Sequence, residues 1–166
     1  NGYNKIMIND LWKYFDTSHC LVVQSDSFVV NPIQWSDEFL KYDYIGAPWT
    51  KIIKPKKDLE IDLKKNRVGN GGFSLRSKKL ALATKNIDLL KLNFPLLTED
   101  VILCHYLYDD LLNQDINFAP IELASKFSLE HPETNKEFGI NNENVFGFHG
   151  KHLRRYFKDR FINKKK

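Results

Sequence analysis

Cysteine is almost absent from this chain of 166 residues, which contains only Cys20 and Cys104. Two cysteines cannot build the disulfide framework of a small secreted domain, and neither belongs to a CxxC pair that would bind zinc. We expect both thiols to be reduced and buried, which is typical of a cytoplasmic protein. Because the first residue is Asn1 rather than Met, we interpret the sequence as a piece of a longer chain.

Long apolar runs and a strong net charge are missing as well. No apolar run approaches the roughly 20 residues that span a bilayer, so no transmembrane segment is expected, and no signal peptide is visible. The chain has 25 basic and 21 acidic residues, and much of the excess lies in a predicted basic loop, 51–69, and a lysine tail, 163–166. Residues 51–67 contain no aromatic ring that could stack on a base, so no nucleic-acid partner is expected.

The rest of the composition is typical of a single globular domain, since 42% of the residues are hydrophobic and 28% are charged. Short apolar runs rich in valine predict strands, and apolar residues that recur at i, i+4 and i+7 predict helices. These patterns predict strands at 21–24, 28–30 and 42–49, a glycine turn leading into a strand at 69–77, an irregular stretch up to Val145, and helices at 4–15, after Ser77, after Thr98 and from Leu153 onward. The alternation predicts the α/β class, with the strand at 21–24 buried on both faces.

Four features carry possible chemistry, and each has a simpler structural explanation. Asp26 follows the first predicted strand, where it could bind a ligand or cap a turn. Gly71 and Gly72 predict a turn that needs positive φ angles. The pair 99–100, Glu and Asp, could supply a catalytic base or satisfy the free amides of a helix start. His149 could bind a metal or be a hydrogen-bonded core residue.

The order of these features resembles the catalytic half of a GT-A-fold glycosyltransferase. It is most similar to a glycosyltransferase-like family, a "domain of unknown function", in which six motifs recur in the same order. Here these motifs are QxDxF at 24–28, YDYIGAPW at 42–49, GNGGFSLRS at 69–77, ED at 99–100, FAP…E…FS.E at 118–130 and FGFHG at 146–150. The resemblance spans nearly the whole chain. It implies a GT-A-like, Rossmann-like mixed sheet flanked by helices, without its N-terminal strand and helix.

The same resemblance implies an inverting, metal-assisted transfer of a sugar from a nucleotide-sugar donor to a hydroxyl of a carbohydrate or glycoconjugate acceptor. Asp100 would be the catalytic base, with Glu99 beside it, and the helix start would keep Asp100 ionised. The remaining site residues would be donor-binding Gln24, Asp26, Asn70, Gly71 and Gly72, acceptor-side Trp49 and Glu130, and metal-binding Asp26 and His149. The metal would be Mn²⁺ or Mg²⁺, and mixed oxygen and nitrogen ligation favours Mn²⁺.

A more distant similarity is to the inverting β-1,3-galactosyl- and N-acetylglucosaminyltransferases, which carry a DxD motif. Asp26 matches the last Asp of that motif, whereas Gln24 stands in place of the first. Gln24 can hydrogen-bond a ribose but cannot balance the charge of a metal. A second interpretation therefore stays open, namely a degenerate carbohydrate-binding or scaffold domain of the same fold that has no catalytic activity.

Overall fold

The structure is a computed structural model that describes residues 2–163, with the side chains of residues 2–158. It is a mixed α/β arrangement of small sheets and helices, so the predicted α/β class is confirmed. The strands of the described residues are β1 (His19–Val23), β2 (Ser27–Val29), β3 (Tyr44–Pro48), β4 (Ile52–Lys56), β5 (Leu59–Asp62), β6 (Val68–Ser77), β7 (Ser128–Leu129) and β8 (Gly147–His149).

The helices are mostly short. The α-helices are α1 (Gly2–Asn4), α2 (Lys78–Thr84), α3 (Glu99–Val101), α4 (Tyr108–Leu112), α5 (Ile121–Phe127), α6 (Pro132–Lys136) and α7 (Lys151–Asn163). The predicted helices at 4–15 and after Thr98 are present but interrupted, since π-helical segments cover Lys5–Asp10 and Ile102–Tyr106. The helix predicted after Ser77 is α2, and the Ser77 hydroxyl caps it by accepting the Leu80 N–H. No helix among the described residues is long and apolar enough to cross a membrane.

Strand β6 is the centre of the first sheet, whose order is β1-β6-β3 with both pairings antiparallel. All ten residues of β6 are buried. Because side chains alternate along a strand, Phe73 and Leu75 pack into an apolar cluster on one face, while Ser74 and Arg76 point to the other. The apolar cluster is rich in rings, which contact each other through Phe39, Phe73, Phe127 and Phe146.

Strand β1 lies at the edge of this sheet, so the prediction that it is buried on both faces is wrong. Leu21 and Val22 are half-buried and Val23 is 49% exposed. A valine-rich run also suits a half-buried pleated surface, and the sequence does not distinguish the two environments. The thiol prediction is confirmed for Cys104, which is free and buried, whereas Cys20 on β1 is free but only half-buried.

A second sheet has the order β2-β8-β7, with β2 antiparallel and β7 parallel to β8. Its register pairs Ser27 with His149 and Leu129 with Phe148. The residue before Ser27 and the residue after Leu129 therefore both lie next to His149. These two neighbours are Asp26 and Glu130.

Residues 51–69 are not the loop that their charge predicts. They contain the antiparallel hairpin β4–β5 and the beginning of β6. The lysines of β4 point to solvent, whereas Ile53 on β4 and Ile61 on β5 pack inward, so the alternation is hidden by the charged face. Of the predicted tail at 163–166, Asn163 ends α7 and residues 164–166 lie outside the described residues.

The predicted glycine turn at 69–72 is also wrong, because these residues lie inside β6. Among the described glycines, only Gly139 and Gly150 have positive φ angles. The glycines of β6 are needed for close packing instead, since a Cβ on Gly69 would lie 2.0 Å from the Trp49 ring. The stretch up to Val145, predicted to be irregular, contains α5, β7 and α6.

Candidate functional site

A cavity of about 580 Å³ opens where the two sheets meet. Most of the residues that the sequence predicts for a site line it, namely Gln24, Trp49, Asn70, Gly72, Glu99, Asp100, Glu130 and His149. The two remaining residues support the wall, since Asp26 contacts His149 and the Gly71 N–H donates to Asp100. The fold therefore brings together residues that are up to 125 positions apart, from Gln24 to His149.

His149 lies between two carboxylates. Its Nε2 is 3.5 Å from Asp26 Oδ1, and its Nδ1 is 3.2 Å from Glu130 Oε1. All three side chains are less than one-fifth exposed, at 17–18%. Burial by itself would lower the pKa of His149, but the hydrogen bond and charge of Glu130, together with Asp26 and Asp100, raise it. The prediction that Asp26 and His149 converge is thereby confirmed.

Gly72 provides the space that the imidazole occupies. A Cβ on Gly72 would lie 2.2 Å from His149 Cδ2, which no side chain tolerates without a shift. The backbone of Gly72 is held from both sides, because its N–H donates to Asn70 Oδ1 and its carbonyl accepts from the Ser27 hydroxyl. Gly72 is therefore needed for the close approach of β6 to His149.

We expect Gly72→Ala to destabilise the fold by about 1–3 kcal/mol, which is typical of overpacking a filled site. Urea unfolding measures this change. Gly2→Ala is the matched control, because its Cβ would meet no atom within 4 Å, and its stability should stay close to that of the unmodified chain. Equal stability of the Gly72→Ala chain would show that the His149 ring does not rest on β6.

The acidic pair at the start of α3 is divided between two environments. Glu99 is 2% exposed, and its Oε1 accepts a hydrogen bond of 3.0 Å from Arg76 Nη2. Asp100 is half-buried at the cavity wall, where Oδ2 accepts the Gly71 N–H and Oδ1 accepts the Val101 N–H. Glu99 is thus held in an ion pair, whereas Asp100 has no ion-pair partner among the described side chains.

Asp100 does not have the readily ionised carboxyl expected of a helix start. Burial and the neighbouring charge of Glu99 raise the pKa of Asp100 to about 6, although its hydrogen bonds to Thr98, Gly71 and Val101 oppose the rise. The cost of desolvation and the repulsion from Glu99 therefore outweigh the amides at this helix start. The helix start therefore does not hold the pKa of Asp100 low, but a pKa of about 6 agrees with the expectation that Asp100 is ionised near neutral pH.

The sequence missed several residues of the cavity wall. Tyr3 from α1 lines the cavity, and its hydroxyl accepts a hydrogen bond of 2.6 Å from Gln24 Nε2. Burial, followed by the charge of Glu99, raises the pKa of Tyr3. Residues of β4, from Ile52 to Pro55, form another part of the wall. Only recognition of the 52–62 hairpin would have placed β4 there.

Asp26 and His149 are the residues that could share one divalent cation. The Glu130 carboxylate contacts Nδ1 of His149 and would orient the imidazole ring so that Nε2 faces Asp26. Many metal-binding histidines are oriented in this way by a carboxylate. Glu130 Oε2 is buried and has no hydrogen-bond partner, so the carboxylate has capacity for a further polar contact. The described residues contain no group of three or more His, Cys, Asp or Glu arranged to hold a metal.

The fold and the cavity define a mixed α/β domain with one acidic, histidine-containing site where two small sheets meet. The chain belongs to the family described as "Protein of unknown function (DUF5672)", which matches residues 1–149. The matched residues include every predicted site residue and end before α7. No curated protein and no solved structure matches the chain.

Proposed function

We propose that this protein is a glycosyltransferase that moves a sugar from a nucleotide-sugar donor to an acceptor hydroxyl, on a GT-A-like fold. One observation carries the proposal: a single cavity is lined by His149, which contacts Asp26 behind it, and by Asp100 on a different element. Leaving-group and acceptor chemistry need such separate charged groups on either side of a reacting sugar. The two free thiols fit the cytoplasmic setting that we propose.

Asp100 would act on the acceptor side of the reaction. Its carboxylate takes the proton of the acceptor hydroxyl while the oxygen of that hydroxyl forms a bond to the anomeric carbon. The bond from the anomeric carbon to the donor diphosphate breaks with inversion, and the diphosphate leaves with the electron pair. With a pKa of about 6, Asp100 is ionised near neutral pH and is basic enough to accept the proton.

Asp26 and His149 would act on the diphosphate side. A bound Mn²⁺ or Mg²⁺ would neutralise the charge that grows on the leaving diphosphate. Asp26 Oδ1 and His149 Nε2, 3.5 Å apart, are near enough to contact one cation, and the diphosphate would supply further oxygens. Gln24, which donates a hydrogen bond to the Tyr3 hydroxyl, would contact the ribose from the same wall. Trp49 and Glu130 remain the acceptor-side candidates, although Glu130 also contacts His149.

A second candidate is a carbohydrate-binding or scaffold domain of the same fold without catalysis. Gln24 in place of an acid favours it, because Asp26 is then the one carboxylate at the two positions that match the DxD motif. The two candidates differ in one property. Both bind a sugar, but only the transferase uses a nucleotide donor with a cation.

Thermal unfolding with a panel of nucleoside diphosphates and nucleotide-sugars, with and without Mn²⁺, separates the candidates. We expect one nucleotide to raise the unfolding temperature only when Mn²⁺ is present, since a ligand at about 100 times its Kd stabilises by roughly 2.7 kcal/mol. Asp26→Asn should abolish this shift, whereas Asp37→Asn, an exposed control, should preserve it. A shift with free sugars and none with any nucleotide would support the binding domain and overturn the transferase.

A further inference from the structure

The positive charge of the chain is concentrated at its end. Residues 151–166 contain eight lysines and arginines and one acidic residue. Since the whole chain has 25 basic and 21 acidic residues, residues 1–150 keep 17 basic and 20 acidic ones. The end of the chain is therefore strongly basic, while the remainder is slightly acidic.

Four basic residues in the part of α7 whose side chains are described lie on one face of the helix. They are exposed and occupy positions i, i+3, i+4 and i+7, which share a side of a helix: Lys151, Arg154, Arg155 and Lys158. Leu153 and Phe157 point the other way and are buried in a cluster with Phe148. None of the four basic residues forms an ion pair with a carboxylate among the described side chains. Their charge is therefore available to a partner.

An apolar groove runs beside this basic face. It has a volume of about 320 Å³, its floor is formed by Phe28, Val29 and Phe148, and Arg154 and Lys158 lie at its rim. Phe28 is 49% exposed and Val29 is 40% exposed, both on the edge strand β2. The Arg154 guanidinium lies 5.8 Å from the centre of the Phe28 ring. We call the groove and the basic face of α7 together the basic groove.

We propose that the basic groove docks on the surface of an anionic lipid bilayer. Exposed apolar side chains enter the boundary between headgroups and acyl chains, while the surrounding lysines and arginines contact the anionic headgroups. A nucleic acid would pair with the basic side chains, but it offers no apolar surface that would cover Val29 and the apolar floor. The three lysines at 164–166, outside the described residues, add charge to the same end of the chain. This inference is independent of the proposed function, because none of these residues lines the 580 Å³ cavity.

Co-sedimentation of the full chain with vesicles tests the docking. Vesicles with about 30 mol% phosphatidylserine in phosphatidylcholine should bind the protein, and pure phosphatidylcholine vesicles should not. Arg155→Gln together with Lys158→Gln should weaken binding about 30-fold, since each basic residue contributes roughly a factor of five. Lys56→Gln together with Lys57→Gln removes two exposed charges from the β4–β5 hairpin and is the matched control, which should bind as the unmodified chain does.

A variant of the apolar floor tests whether docking needs apolar contact as well as charge. Val29→Ser should weaken binding to the anionic vesicles roughly fivefold, because it removes apolar area that enters the membrane. Thermal unfolding of each variant confirms that it is folded before binding is measured. Equal loss of binding in the hairpin control, no loss with Val29→Ser, or tighter binding to a duplex oligonucleotide than to vesicles would each overturn the proposal.

Discussion

Replacing Asp100 by asparagine should lower turnover by roughly 10² to 10⁴-fold. Asparagine has nearly the same shape as aspartate and can still accept the Gly71 N–H, but it cannot take the proton of an acceptor hydroxyl. Donor binding, measured by thermal shift with Mn²⁺, should be almost unchanged. Asp110→Asn removes a carboxylate from the exposed side of α4 and is the matched control, whose turnover should stay at the original level.

The pH dependence gives this prediction a second readout. If Asp100 is the base, turnover should rise as pH increases through about 6, where Asp100 loses its proton. Burial and the charge of Glu99 raise this pKa, and the charge of Asp100 in turn raises the pKa values of Tyr3 and His149. The residual activity of the Asp100→Asn chain should lack this step. Unchanged turnover in Asp100→Asn would contradict the assignment of Asp100 as the base.

Asp100→Asn should raise the stability of the fold although it lowers turnover. The pKa of Asp100 is raised from 3.8 to about 6 in the folded chain, so folding favours the protonated form of Asp100. The free energy of unfolding therefore falls as pH rises through about 6. Asp100→Asn removes this cost but loses one accepted hydrogen bond, and we expect a net gain of about 1–2 kcal/mol near pH 7.5. Near pH 4 the difference should vanish, because Asp100 is then protonated in the folded chain. Denaturant unfolding at both pH values measures the change.

Replacing Arg76 by methionine should destabilise the fold by about 3–5 kcal/mol, the usual cost of leaving one buried charge without its partner. The side chains of Arg76 and Glu99 are only 1% and 3% exposed, and their contact is 3.0 Å. Arg76 Nε also donates to the Ser74 hydroxyl, so the guanidinium is fixed in one orientation. Urea unfolding at neutral pH measures the loss.

The double variant Arg76→Met with Glu99→Leu is the matched control, because it removes both charges and keeps the volume. Its stability should return to within about 1 kcal/mol of the unmodified chain, since a buried ion pair contributes little compared with an apolar pair. Lys41→Met breaks the exposed pair with Glu38 and should cost less than about 1 kcal/mol. A loss from Arg76→Met as small as that from Lys41→Met would show that the Arg76–Glu99 pair is hydrated.

A helix or strand could be predicted from the sequence where its residue pattern fits only one type of structure. The cap at Ser77 and the apolar residues at 80 and 81 define α2, and the apolar run around Tyr44 defines β3. The hairpin β4–β5 could not be predicted, because its exposed lysines conceal the period of two and its register depends on contacts with Lys51 and the core. The glycines of β6 wrongly predict a turn for a related reason, since a turn and a close approach between a strand and a side chain both need glycine.

The site shows the same division. The residue types at 26, 100 and 149 indicate charged chemistry, and the structure places Asp26 in the turn between β1 and β2, Asp100 in the first turn of a helix and His149 at the end of β8. The role of Glu99 could not be read from sequence, because its partner Arg76 is 23 positions away on a different element. The contact of Glu130 with His149 depends on the parallel register of β7 and β8, which no local pattern encodes.

The position of β6 has a consequence for the order in which the protein opens. Its amides are hydrogen-bonded to β1 on one side and β3 on the other, so exposing them to exchange with deuterium requires both ladders to break. We therefore expect these amides to exchange through global unfolding, more slowly than the amides of the β4–β5 hairpin. The β4–β5 hairpin has one half-exposed ladder and exchanges through local opening. The cavity wall that carries the Arg76–Glu99 pair should therefore be the last to unfold. The wall formed by β4 can open locally when a ligand enters the cavity.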